Sequence, residues 1–252
     1  MTLNNKVAVV YGAGGAIGGA VARAFAEEGA RVFLTGHEAI AADVGEAAVV
    51  DALDERAVEE HLRSVVDTAG RVDISFNAVG FPDGEIVGVP LAEMDADRFT
   101  RPIARYATSY FLTARAAARH MIPNRSGVIM RVTALLARTG VPMIGGYGPA
   151  MAALDALTRS LSAELAPQGI RVVGLRPQAM PESSTIREAF EPRGKATGLT
   201  WEQWQEILAS RTHPRRLMTL AEMANAAVFL ASDKASGMTG TIVNLTMGSL
   251  DD

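Results

Sequence analysis

Short apolar runs alternate along this chain with longer stretches whose apolar residues recur at helical spacing. Lys6 to Tyr11 is the first β-rich run. A glycine-dense turn follows, and Ala20 to Glu28 then has helical composition up to Gly29. Further strands are predicted at Arg31 to Leu34, Ala47 to Val50, Val72 to Phe76, Val128 to Thr133, Arg171 to Leu175 and Thr241 to Leu245. Helices are predicted from Asp54 to Thr68, Phe99 to Met121, Pro149 to Leu165 and Leu220 to Ala231. Asp54 is placed to cap the first of these, because its carboxylate can accept from first-turn amides. Such alternation predicts an α/β fold: a doubly wound, mostly parallel, seven-stranded sheet in three α/β/α layers. Right-handed crossovers would place the strands' carboxyl ends on one rim, where ligands bind at the reversal of strand order.

Two stretches depart from the rhythm. Thr35 to Glu46 leaves room for only one short helical candidate, Glu38 to Val44, where a full crossover would need more chain. Either the connection is abbreviated or residues are missing from it. The long stretch from Gln178 to Pro214 carries Trp201 and Trp204 among polar residues and glycines. It reads as an insertion of small helices that covers a ligand, or as an amphipathic helix docked on the body.

Composition narrows the class. The 252 residues can form one domain spanning 1–252, with no cysteine available for a disulfide. Lys plus Arg number 24 against 28 Asp plus Glu, so nothing points to a nucleic-acid surface. The apolar runs are too short to span a membrane, and the opening residues lack a signal-peptide pattern, so a cytoplasmic protein is expected. His37, His61, His120 and His213 fit no metal motif, and no metal site is expected.

The first glycine turn, Tyr11-Gly-Ala-Gly-Gly-Ala-Ile-Gly18, lies between a strand and a helix. Glycines there permit positive φ and close approach of a phosphate, which the free amides of a helix N-terminus favour. A turn that merely packs the helix on the sheet is the alternative.

These residues resemble the glycine loop of the short-chain dehydrogenase/reductases, and the resemblance runs along essentially the whole chain. It implies a single-domain Rossmann-type fold, assembled as homotetramers or homodimers, that reduces carbonyls or oxidises alcohols with a nicotinamide cofactor. On that resemblance the cofactor would meet Gly12, Gly14, Gly15, Ile17 and Gly18 in the loop, and His37 after the second strand. Asp51 and Ala52 would follow the third strand, and Asn77 and Ala78 the fourth. Pro177, Met180 and Ser183 would follow the sixth. The family's catalytic tetrad is asparagine, serine, tyrosine and lysine. Only the tyrosine is retained, as Tyr147; the other positions fall on Tyr106, Ala134 and Met151.

Tyr147 and Met151 share a helix face, where a cation would favour the phenolate. A phenol titrates near a pH of about 10, and each unit of lowering takes about 1.4 kcal/mol, none of which methionine supplies. Thr133 is the only hydroxyl near Ala134. Arg131, two residues earlier on the same strand face, could replace the lost charge, although a strand-end arginine is more often salt-bridged or solvated. Tyr106 either donates to a ligand or fills the space left by Ala134. Met143, Met151 and Met180 either soften a substrate pocket or fill core. With no acid before Glu38 at the end of the second strand, NADP is favoured over NAD. Two functions follow as expectations: a weak or altered oxidoreductase acting on a small carbonyl or alcohol, or a catalytically silent NAD(P)-binding sensor or partner protein.

Overall fold

The computed structural model describes residues 1–81, 86–183, 186–188, 191, 194 and 197–251. Seven strands form one sheet: β1 (Val7–Tyr11), β2 (Arg31–Gly36), β3 (Glu46–Val49), β4 (Ile74–Asn77), β5 (Gly127–Val132), β6 (Ile170–Pro177) and β7 (Thr241–Leu245). Their order is β3-β2-β1-β4-β5-β6-β7, and every neighbouring pair is parallel. The strand order therefore reverses between β1 and β4, at the ends marked by Tyr11 and Asn77.

Alternate residues of each strand feed two cores. Ala8 and Val10 face α1 (Ala16–Glu27) and a late helix, Leu220–Ala231, through Phe25, Val21, Met223 and Ala227. Val7, Val9 and Tyr11 face the other layer, made of α2 (Glu55–Ala69), α3 (Ala96–Met121) and α4 (Tyr147–Leu165), through Leu62, Tyr110 and Leu154. Strands buried on both faces explain why their sequences read as continuous apolar runs. Asp54 does cap α2, accepting from the amides of Arg56 and Ala57.

Four expectations need correction. No helix forms between Glu38 and Val44; the segment is irregular, and Ile40 and Val44 pack onto the first core in a helix's place. Gly45 (φ +70°) lets this short connection turn tightly under β2, where a Cβ would strike the Val32 carbonyl. Next, α1 begins at Ala16, not Ala20. Glycine has low helix propensity, but a Cβ at Gly18 would overlap the Gly12 carbonyl, so packing overrides propensity there. Finally, α4 begins at Tyr147, with Pro149 in its first turn, where the missing N–H costs nothing. Likewise α3 starts at Ala96, where the Asp95 side chain accepts from the Arg98 amide, and it accommodates Pro102 inside.

The insertion contains α5 (Trp201–Ser210), closed by a capping box between Thr200 and Gln203, and α6 is the late helix Leu220–Ala231. No residue of α5 is buried. Trp201 and Trp204 stack on each other at 5.5 Å, and Arg187 lies over the Trp201 ring.

Candidate active site

At the reversal of strand order, β1 runs into the glycine turn and β4 into Asn77-Ala78-Val79. The glycines divide by cause. Gly12 has φ +74°, and a Cβ there would lie 2.7 Å from the Ala78 carbonyl oxygen, so fold geometry alone demands glycine. Gly18 is equally confined. Gly14 and Gly15 are exposed, have no positive φ, and leave an added Cβ at ordinary distance: 3.6 Å from Ile40 and 3.4 Å from the Gly12 carbonyl. Nothing within the chain requires glycine at these two positions. Gly15 is also the N-cap of α1 and gives it no side-chain cap, and the first turn holds no acid, so the leading amides are left for an outside acceptor. A phosphate lying against bare backbone fits both observations.

Next to this turn is a cavity of about 390 Å³ between Gly14, Arg23, Ile40 and Asp43. Ile40 packs over both Gly14 and Gly36. His37 is exposed, with its ring 3.6 Å from the Glu38 carboxylate. Asp51 is exposed and accepts from the Leu53 amide, while Ala52 is buried. Ile17 and Ala78 are partly buried against the first core. Pro177 ends β6, Met180 is buried, and the buried Ser183 donates its amide to the Met180 carbonyl. These residues lie along the carboxyl rim, as a dinucleotide spanning the switch point needs.

The chemical end is built where α3 and α4 approach β5. Gly146 admits no side chain, because a Cβ would overlap the Phe99 carbonyl of α3; that contact brings Tyr147 against Tyr106. Their rings meet edge-on at 5.7 Å, and Tyr106 meets Phe81 edge-on at 4.9 Å. The Tyr106 hydroxyl accepts from the Phe81 amide at 3.2 Å. Tyr106 is therefore packed in the second core, against which Ala134 also packs. Met151 is 1 % exposed, one turn below Tyr147 on the same helix. Met143 stands in the loop before α4 with φ +58°.

Asn77 is a hub between layers. Its amide nitrogen donates to Thr113 Oγ1 at 2.9 Å and to Ser109, and its oxygen accepts from the Val79 amide and from Arg131. Arg131 itself is 2 % exposed. It is neither solvated nor, among the described residues, paired with a carboxylate. Its Nη1 donates to the Asn77 oxygens and the Val79 carbonyl, its Nη2 to Val79 as well, and Nε finds no acceptor. The guanidinium lies 5.5 Å from the Tyr106 ring centroid. Burial pulls its pKa down, opposed by the phenols of Tyr106, Tyr147 and Tyr110. The Thr133 hydroxyl on the same strand face is buried without a partner, as is the Tyr11 hydroxyl at the end of β1. Burial raises the Tyr11 phenol well above its ordinary range and the Tyr110 phenol to about 12.

One constellation is absent from the sequence reading. Asp155, one turn beyond Met151 on α4, and Arg176 on β6 form a buried ion pair at 2.5 Å. A carboxylate on the apolar face of a helix and an arginine next to the proline ending a buried strand were its signals. Among the described residues, no group of acidic, histidine or cysteine side chains is arranged to hold a metal, and no helix is long and apolar enough to cross a membrane.

Similarity to known proteins agrees with this layout. A family model described as enoyl-(acyl carrier protein) reductase matches residues 12–249. An uncharacterized oxidoreductase of Thermotoga maritima is 32% identical over 259 residues, covering 99% of both chains. A 3-oxoacyl-[acyl-carrier-protein] reductase of Vibrio cholerae is 29% identical, covering 98% of both. The structure of NAD+-bound xylitol dehydrogenase superposes with a TM-score of 0.88 at 27% identity, covering 98% of this chain and 100% of that one. With its all-parallel seven-stranded sheet, its glycine turn at the switch point and a matched family model over nearly its full length, the chain belongs to the short-chain dehydrogenase/reductase family of oxidoreductases.

Proposed function

We propose that this protein is a nicotinamide-dependent oxidoreductase acting on a small carbonyl or alcohol, with Tyr147 as its proton donor and acceptor. The observation that carries the reading is the pairing of two features at one rim. Gly14 and Gly15 have no reason within the chain to be glycine, and Tyr147 stands at the start of α4 on the same rim. When bound, the cofactor supplies or accepts the hydride. In the reductive direction the hydride goes to the carbonyl carbon and the Tyr147 hydroxyl gives its proton to the carbonyl oxygen, yielding the alcohol. The phenolate left behind regains a proton from solvent. Thr133, whose buried hydroxyl has no partner, offers the second hydrogen bond to the substrate oxygen that Ala134 cannot. NADP is favoured over NAD, since no acid precedes Glu38 at the end of β2. The half-buried helix α5 would cover an apolar substrate, and a homotetramer or homodimer is the expected assembly.

A second reading is favoured by Met151 and Ala134. Neither can bind ribose hydroxyls or relay a proton, so the protein would be a catalytically silent NAD(P)-binding sensor or partner. One experiment decides. Turnover of NADPH and NADH is measured across a panel of ketones, aldehydes and alcohols for the wild type and Tyr147→Phe. The proposal expects measurable turnover, reduced about a hundredfold or more by the substitution. No turnover in the wild type, or turnover indifferent to Tyr147→Phe, overturns it.

A further inference from the structure

A charge buried as deeply as that of Arg131 is normally paired with a carboxylate, since desolvation costs several kcal/mol that neutral carbonyls only partly offset. Among the described residues every partner is neutral: the Asn77 oxygens, the Val79 carbonyl and the face of Tyr106. The remaining donor, Nε, is bare. Hydrogen bonding to Asn77 and Val79 does not itself call for a full positive charge, because a neutral amide could donate there. What distinguishes the position is the company of phenols. The guanidinium lies 5.5 Å from the Tyr106 ring centroid, and the Tyr147 ring meets that of Tyr106 edge-on at 5.7 Å, so two of the chain's four tyrosines gather beside this one cation. At the same time, the helix position that would carry the family's cation holds the buried Met151.

We propose that Arg131, reaching in from β5, supplies the positive charge that Met151 does not, and that it acts as a positioning residue holding the Tyr147 phenol in a readily ionised state. This deepens the oxidoreductase reading above and rests on it for its purpose, but not for its test. Removing the proton from Tyr147 leaves a phenolate, and that anion is the counter-charge the buried guanidinium lacks. The stabilisation is therefore mutual. Other charged or titratable groups face this corner from each packed element. Tyr106 and Tyr110 come from α3, with Arg105 lying over Phe81, 4.3 Å from its centroid. Asp155 on α4 and Arg176 on β6 cancel one another as an ion pair. Tyr110 is itself bonded to Thr158. Arg131 is thus the buried cation of the corner with no anion of its own among the described residues.

The test is an ultraviolet phenolate titration of the protein without cofactor or substrate, with Tyr147 assigned by difference from Tyr147→Phe. Burial raises the Tyr11 and Tyr110 phenols, so they titrate late, and Tyr106, present in both proteins, cancels in the difference. In the wild type Tyr147 is expected to ionise at least about one pH unit below the ordinary phenol value, about tenfold more phenolate at a given pH. Arg131→Met should move it up by a unit or more and Arg131→Lys should keep most of the lowering. The double variant Arg131→Met with Met151→Lys should restore it. Where Arg131→Met does not fold, Arg131→Gln keeps donors toward Asn77 and Val79 without the charge and should show the same upward shift. A wild-type Tyr147 that titrates at or above the ordinary value, or one unmoved in folded Arg131→Met or Arg131→Gln, overturns the inference. Because no substrate takes part, absent turnover with a lowered phenol would sink the oxidoreductase reading alone; turnover that needs Tyr147 with an Arg131-independent phenol would sink this inference alone.

Discussion

The starts of α1 and α4 are both places where a strand hands the chain to a helix at the same rim, yet they carry function in different currencies. At α1 the functional surface is backbone. Gly12 and Gly18 are needed for the fold, and between them Gly14 and Gly15, which the fold does not need, leave bare backbone exposed at the head of α1. At α4 the functional surface is side chains that the fold does not need. Alanine at 134 and methionine at 151 pack into the second core as well as any polar pair would. A site written in backbone persists as long as the fold does. One written in side chains can change residue by residue while the fold stands, and near this end the chain holds a buried arginine on β5 and a buried ion pair between α4 and β6.

The comparison is most exposed to disproof at that ion pair. Asp155→Ala removes the carboxylate side of a buried ion pair and is expected to cost about 3–5 kcal/mol in urea unfolding. Adding Arg176→Met should recover most of the loss, because removing both charges also removes the desolvation cost. A near-neutral single variant would mean that this pair matters less at the α4 end than its geometry indicates. At the α1 end, Gly12→Ala should cost about 2–3 kcal/mol, from positive φ together with the overlap on Ala78. Gly14→Ala should stay within about 0.5 kcal/mol of the wild type by the same measurement. Equal costs at the two glycines would erase the distinction drawn between fold and ligand.

The smallest effect belongs to a surface charge that neither region uses. Arg216 and the Thr219 amide hold the Glu222 carboxyl down at about 2. A depressed acid contributes stability above its unfolded pKa and loses it as pH falls through the folded one. Glu222→Gln should therefore cost less than about 1 kcal/mol at neutral pH, since the pair is exposed. The difference between variant and wild type should shrink as the pH falls from about 4.5 toward 2. A pH-independent difference would point to a lost cap at α6 instead of a charge effect.

The five inner strands were legible because parallel strands buried on both faces must be largely apolar; the edge strands are different, β3 being mostly exposed and β7 half-buried. Helix starts were less legible. The glycines before Ala20 and the proline at 149 argue locally against a helix, and only tertiary packing reverses them. The segment after β2 misled for a similar reason: Glu38 to Val44 has helical composition but too little chain, and Ile40 and Val44 serve as plugs. In the site, Tyr147 and the position of Met151 came from the family resemblance, and helical spacing added only that the two share a face. The environment of Arg131 could not, because strand alternation says which face a side chain takes and nothing about whether a carboxylate waits there. The partner of Asp155 lies on another element, and no local spacing connects it to Arg176.

The account's central claim is that the exposed glycines at the head of α1 form a dinucleotide cradle that survives independently of the altered chemistry beside Tyr147. Titration with NADPH and NADH, followed by nicotinamide emission and by quenching of Trp201 and Trp204, tests it directly. Saturable binding is predicted, tighter for NADPH, unchanged in Tyr147→Phe and weakened tenfold or more in Gly14→Val, a loss of about 1.4 kcal/mol or more. Absence of binding by the folded wild type, or binding that ignores Gly14→Val, would contradict it.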